Sequence, residues 1–174
     1  MHLAITVESI QRANALFWEQ MLAMQLTPIA AAPEQAARCI GPRHLVGSCT
    51  ISGVWSGRVE VRLASGLALA ATSAMLMRPA EAVQTEDALD ATKEIANMIA
   101  GTVKSVLPRP CSMTVPSAAV EAADFCIRPR TEDSVTVFFH HASGELMVRV
   151  WEDAPQTAVS REIPSAIPEL AVAC

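Results

Sequence analysis

The apolar and polar positions of residues 87–104 repeat with the period of a helix, and good helix formers dominate this stretch. At about 100° per residue, the apolar side chains collect on one face. They are Ala88, Ile95, Ile99, Val103 and Val106. A polar stripe lies within an arc of about 80° on the other face. It consists of Asp90, Glu94, Asn97, Gly101 and Lys104. We expect this central helix to have Thr85 as its N-cap and to run to about Leu107, before Pro108.

The polar stripe contains two residues that helix propensity does not explain. A glycine in a helix interior costs about 1 kcal/mol relative to alanine, and asparagine prefers caps and turns. Gly101 nevertheless lies one turn after Asn97 on the same stripe. We infer that another molecule or segment comes close to the helix beside Asn97.

The rest of the chain alternates between helix and strand patterns. Helices are predicted for Ser9–Leu26 and for Leu67–Met77, the latter with Leu67, Ala71, Ala74 and Met75 facing inward. Strands are predicted for His44–Ser52, Arg58–Leu63, Cys111–Val115, Ser134–His141 and Leu146–Trp151, of which the first two and the last two form hairpins. Charged and apolar residues alternate cleanly along Arg58–Leu63, which indicates an antiparallel sheet with one face in solvent. The order predicts an α+β fold, an antiparallel sheet with helices packed on one face.

Length and composition predict one globular domain. The 174 residues are 51% hydrophobic and 18% charged, which is enough to form a sizeable core. We assign residues 1–152 to the domain and residues 153–174 to a C-terminal tail, extended or disordered, that contains Pro155, Pro164 and Pro168. Residues 29–42 are expected to form a loop, and residues 120–127 fit neither pattern clearly.

The net charge of −5 argues against nucleic acid or an anionic membrane surface as the main partner. No apolar run is long enough to span a membrane, and the start of the chain lacks the pattern of a signal peptide. We therefore expect a cytoplasmic protein.

The five cysteines are an odd number without a CxxC pair, which favours reduced, mostly buried thiols. A metal site formed by Cys39, His44 and Cys49 is an alternative, but a structural zinc needs four ligands. We expect no metal or cofactor in this chain.

The central helix carries a family resemblance. The run Asp90–Lys104 resembles the ExxNxxxGxxK signature helix of the CheX branch of the CheC/CheX/FliY phosphatases, including its Asn97-Met98-Ile99-Ala100-Gly101 core. The strand and helix of residues 58–77 resemble the element before that helix. The hairpin of residues 135–150 resembles the family's closing strands. The resemblance covers about residues 5–151 and excludes the tail.

The resemblance implies a phosphatase that acts on a phosphorylated CheY-like response regulator, whose own site holds the aspartyl phosphate and Mg²⁺. By motif position, Glu94 would dock onto the regulator's lysine and Asn97 would orient the attacking water. Asp90, Met98, Gly101 and Lys104 would border the contact with the partner. The alternative for Asp90 is a solvated acid without a role in binding. The alternative for Lys104 is a surface ion pair with a neighbouring acid.

The residue types suit this chemistry independently. An acyl phosphate is already reactive, so catalysis depends on positioning water and charge. A neutral carboxamide accepts a hydrogen bond through its oxygen and donates through its nitrogen. A spacing of three places Glu94 and Asn97 on one face, about 5–6 Å apart at Cβ.

Some relatives carry two ExxN helices, but the first helix here has Gln11, not glutamate, three residues before Asn14. A single-site arrangement follows, and the resemblance implies a homodimer. The alternative functions are a non-catalytic module that binds a receiver domain and an interaction domain outside signalling.

Overall fold

The computed structural model describes residues 5–30, 43–122 and 134–153. Within these ranges the chain forms three helices, seven strands and a short 3-10 helix at Ala80–Ala82. The helices are α1 (Val7–Leu22), α2 (Ser65–Leu76) and α3 (Thr85–Ser105). The strands are β1 (Thr27–Ile29), β2 (Arg43–Gly53), β3 (Gly57–Ala64), β4 (Cys111–Met113), β5 (Ser117–Ala122), β6 (Ser134–His141) and β7 (Gly144–Glu152).

The strands form one antiparallel sheet in the order β1-β6-β7-β3-β2, with β4 and β5 paired along the outer edge of β2. The register places Leu45 beside Leu63, Leu63 beside Leu146, and Leu146 beside Phe139. Because side chains alternate between faces, this row and its neighbours form one apolar face of the sheet. The three helices pack on that face, and helix and sheet residues form one buried core. The predicted fold class is confirmed.

The long helix α3 lies across β2 at a position where the sheet has no side chain. A Cβ on Gly47 would lie 2.8 Å from the Thr92 carbonyl oxygen and 3.0 Å from the Ala96 Cβ. Small residues at 47 and 96 therefore allow helix and strand to approach closely. This contact fixes the face that α3 turns away from the sheet.

The boundaries of α3 differ slightly from the prediction. The N-cap is Gln84 instead of Thr85, and its backbone N–H donates to Asp87 Oδ2 at 3.0 Å. The helix ends at Ser105, so Val106 is its C-cap and is 50% exposed instead of facing the core. Leu107, beyond the helix, returns to the core at 5% exposure.

Two further predictions about helices were wrong in detail. The first helix begins at Val7, after a reciprocal pair of hydrogen bonds between Thr6 and Ser9, and it ends at Leu22 because Ala23 adopts a left-handed conformation. In α2 the expected inward residue Ala74 is exposed. The buried residues are Leu67, Ala68, Ala71 and Thr72, a stripe that lies about 90° around the helix from Ala74.

Strand β1 was not predicted, and β5 accounts for the first part of the ambiguous stretch. Most of the expected loop at 29–42, residues 123–127 and all but the first residue of the tail lie outside the described residues. The domain boundary therefore stays a prediction. In the described ranges, no helix combines the length and apolarity needed to cross a membrane.

Candidate functional site

The polar stripe lies on the side of α3 that faces away from the sheet. Asp90 and Glu94 are exposed, while Asn97, Gly101 and Lys104 are partly exposed. Met98 is also partly exposed, and helix geometry places it beside the stripe. The opposite side is buried through Ala88, Ala91, Thr92, Ile95, Ala96, Ile99, Ala100 and Val103. All six residues predicted from the sequence therefore share one accessible surface.

The side chains of Glu94 and Asn97 have no hydrogen-bond or ion-pair partner among the described residues. Asp90 differs, because its Oδ1 accepts from Lys93 Nζ at 2.8 Å. That pair is exposed and contributes little to stability. The Glu94 carboxylate, one turn after Asp90, and the Asn97 carboxamide, two turns after it, remain available to an outside molecule.

Nothing within the described chain explains Gly101. A Cβ placed there would meet no atom within 4 Å, in contrast to the crowded position of Gly47. Alanine would fit without a clash and would favour the helix. The inference that Gly101 serves a contact from outside the chain is therefore consistent with the local geometry.

A cleft with a volume of about 520 Å³ opens beside the end of the polar stripe. Its lining residues are Gly101, Lys104, Ser105, Arg109, Pro110, Cys111 and Met113. They come from the last turn of α3, the following connection and β4, and we call this site the basic cleft. Lys104 does not form the surface ion pair considered above with any described residue.

Arg109 was missed in the sequence analysis. Its position near the end of α3 could be read from the sequence, but its place in the same cleft as Lys104 depends on the return of the chain into β4. The prolines at 108 and 110, on either side of Arg109, indicated only that the helix ends. They did not indicate a cleft.

The alternative metal site is not assembled by the fold. His44 and Cys49 lie on opposite faces of β2, because an odd number of positions separates them. The His44 Nε2 lies 2.8 Å from Arg62 Nη1, and Cys49 is buried among core residues. Cys39 lies outside the described residues. Among those that are described, no three potential ligands cluster.

The asparagine of the first helix does not form a second site. Asn14 is 2% exposed, and its Nδ2 donates to the Ile10 carbonyl oxygen at 2.9 Å. Its side chain lines a small groove between α1 and α3. A folded partner cannot reach it without displacing α1.

Residues 45–140, more than half of the chain, match the family model described as chemotaxis phosphatase CheX. No curated protein sequence matches this chain. Two solved structures show a similar fold. The chemotaxis protein CheX from Vibrio vulnificus has a TM-score of 0.69 and 20% identity, covering 88% of this chain and 100% of that one. A CheC-like superfamily protein from a Shewanella species has a TM-score of 0.70 and 16% identity, with the same coverage.

A third similar structure is a complex. It contains CheX, CheY, BeF3 and Mg²⁺ from Borrelia burgdorferi, and its match has a TM-score of 0.61 and 15% identity. The match covers 87% of this chain and 99% of that chain. At these identities, the structural similarities establish the fold.

Proposed function

This chain belongs to the CheX family of chemotaxis phosphatases, and on that basis we propose that it dephosphorylates a CheY-like response regulator in the cytoplasm. The observation that carries the proposal is the joint position of Glu94 and Asn97 on the polar stripe. Both are accessible on one helix face, one turn apart and without partners among the described residues. The similarity to a CheX that was crystallised with CheY supports this class of partner.

In the proposed reaction, water attacks the phosphorus of the receiver's aspartyl phosphate in line with the leaving carboxylate oxygen. A bond forms between the water oxygen and phosphorus, and the bond from phosphorus to the aspartate oxygen breaks. The products are the free aspartate and inorganic phosphate. Mg²⁺, held in the receiver's own site, offsets the negative charge of the phosphoryl group.

Asn97 orients the water. Its side-chain oxygen accepts a hydrogen bond from the water, and its side-chain N–H donates a hydrogen bond to an acceptor in the receiver's active site. A neutral amide does not repel the phosphoryl oxygens, whereas an aspartate would. Because α3 is held closely against β2, the helix presents this amide from a fixed backbone. Positioning of this kind accounts for large rate effects in phosphoryl transfer.

Glu94 docks the helix through an ion pair with the receiver's active-site lysine. Met98 and Gly101 contact the partner's surface beside this pair. Asp90, already paired with Lys93, contributes at the edge of the contact. We also expect a homodimer, which sedimentation of the purified chain would detect.

The test is to follow phosphate loss from a phosphorylated receiver with wild-type protein, Asn97→Ala and Glu94→Gln. We expect Asn97→Ala to lower kcat by about 100-fold, because the water loses its positioning group. We expect Glu94→Gln to raise KM by about tenfold, because the docking charge is lost while the shape is kept. Acceleration that both variants retain would overturn this mechanism. Wild-type protein that binds the receiver without changing its phosphate lifetime would favour the non-catalytic module.

A further inference from the structure

The basic cleft lies beside the proposed docking surface and has a charge of its own. Its lining includes two basic side chains, Lys104 and Arg109, and no carboxylate. We propose that this cleft is a second docking point, which binds an acidic segment of the receiver next to its phosphorylation site. The inference rests on the proposed function, because it takes the receiver as the occupant.

The charges of the cleft are not satisfied within the described chain. Neither Lys104 nor Arg109 forms an ion pair with a described residue. Two other basic residues do form ion pairs: Lys93 pairs with Asp90, and Arg62 pairs with Glu60 and Glu121. In a chain of net charge −5, two cations that line one concave site without an ion pair to the described residues are available to an anionic group.

The cleft is continuous with the polar stripe, since Gly101 belongs to both. Asn97 and Lys104 are seven residues apart on one helix, which corresponds to about 10 Å. A receiver domain placed over Asn97 is wide enough to reach the cleft. The open space over Gly101 leaves the path between them clear.

The chemistry of the partner supplies the complementary charge. A site that holds Mg²⁺ and a phosphoryl group uses carboxylates as metal ligands, so its surroundings are acidic. The stripe itself brings two further acids, Asp90 and Glu94, toward that site. Cations at the end of the stripe offset this repulsion and fix which way the receiver lies along α3.

A purely local role for Lys104, in which it stabilises the end of α3, does not explain the presence of Arg109 in the cleft. A lysine in the last turn of a helix interacts favourably with the helix dipole, and Lys104 has this position. Arg109 lies four residues beyond the end of α3, outside the reach of that effect. The dipole therefore does not account for the second cation of the cleft.

The first experiment compares Lys104→Glu, Arg109→Glu and the double variant with Arg12→Glu as a matched control. Arg12 is exposed on α1, which packs on the side of α3 opposite the polar stripe. Each single variant changes the net charge by −2, as Arg12→Glu does, so a loss in the single variants that Arg12→Glu does not show is due to the cleft and not to net charge. We expect the double variant to lose about tenfold in kcat/KM at low salt, through KM, with kcat unchanged. The loss should shrink at high salt, and Arg12→Glu should behave as wild type.

The second experiment detects contact directly. Cys111 lies in the wall of the cleft and is partly exposed, so its alkylation rate, read by peptide mapping, reports access to the site. A receiver activated with beryllium fluoride should slow alkylation of Cys111 in wild-type protein. It should slow it less in the double variant at the same receiver concentration.

The outcomes separate the two proposals. If wild-type protein accelerates dephosphorylation but the double variant matches Arg12→Glu and Cys111 stays unprotected, only the cleft proposal is overturned. If the receiver binds without dephosphorylation, the phosphatase proposal fails, and protection of Cys111 still supports the cleft. If inorganic phosphate alone protects Cys111, the cleft is a phosphate site and this proposal is overturned.

Discussion

Replacement of Gly101 by alanine should separate stability from activity. Gly101 lies in the interior of α3, where a Cβ would meet no atom of the described chain within 4 Å. Alanine therefore adds no packing contact and causes no clash in the free protein. Only helix propensity changes, and it favours alanine by about 1 kcal/mol.

The free energy of unfolding should accordingly rise by about 1 kcal/mol, and Tm by about 2–4 °C for a chain of this size. Docking should change in the opposite direction, because the methyl group enters the space assigned to the receiver. Crowding of a close contact costs about 1–3 kcal/mol, so kcat/KM should fall by about tenfold. Gly101→Leu should lower it further.

Urea unfolding and phosphate loss from a phosphorylated receiver measure the two effects. Thr102→Ala is a suitable control, since Thr102 is exposed on the α1 side of α3 and its replacement also favours the helix. It should stabilise the protein without lowering kcat/KM. If Gly101→Ala does not stabilise the fold, the claim that alanine fits at position 101 of the free protein without a clash is refuted. Stabilisation with full activity, retained in Gly101→Leu, would refute close approach of the receiver.

Three further predictions concern the scaffold and the number of sites. Gly47→Ala should lower the free energy of unfolding by about 1–3 kcal/mol, because its Cβ would lie 2.8 Å from the Thr92 carbonyl oxygen; an unchanged urea midpoint would contradict this. Arg62→Ala should lower the free energy of unfolding, measured by chemical denaturation, by about 3 kcal/mol, because Glu60 loses its partner in a largely buried ion pair. A decrease below about 1 kcal/mol would mean that the ion pair is solvated. Asn14→Ala should leave kcat per folded molecule unchanged, since Asn14 is buried; a tenfold lower kcat would indicate a second site.

The sequence predicts an element well where its pattern is local and complete. The valine, threonine and phenylalanine residues of the run 134–141 favour a strand, and β6 has the bounds Ser134–His141 that were predicted. The polar stripe of α3 also follows directly from helix geometry, because the helix is long and has one polar face. Five of the six candidate residues could therefore be placed on one face from the sequence, and Met98 was added from the family resemblance.

Features that depend on distant parts of the chain were not predicted. Strand β1 has only three residues and includes Pro28, and it is defined by its pairing with β6, more than 100 residues later. The cleft forms only when Lys104 and Arg109 line one concave site with Cys111 and Met113, which follows from the return of the chain into β4. The burial of Asn14 likewise depends on how α1 packs against α3.

The central claim is that Asn97 positions the attacking water. Its most direct test is the single-turnover rate of phosphate loss from a phosphorylated receiver, measured with saturating Asn97→Ala and with saturating wild-type protein. Saturation removes any difference in docking, so the comparison reports on the chemical step alone. The account predicts that the variant binds the receiver but leaves phosphate loss near the receiver's own rate. Acceleration equal to that of the wild type would contradict it.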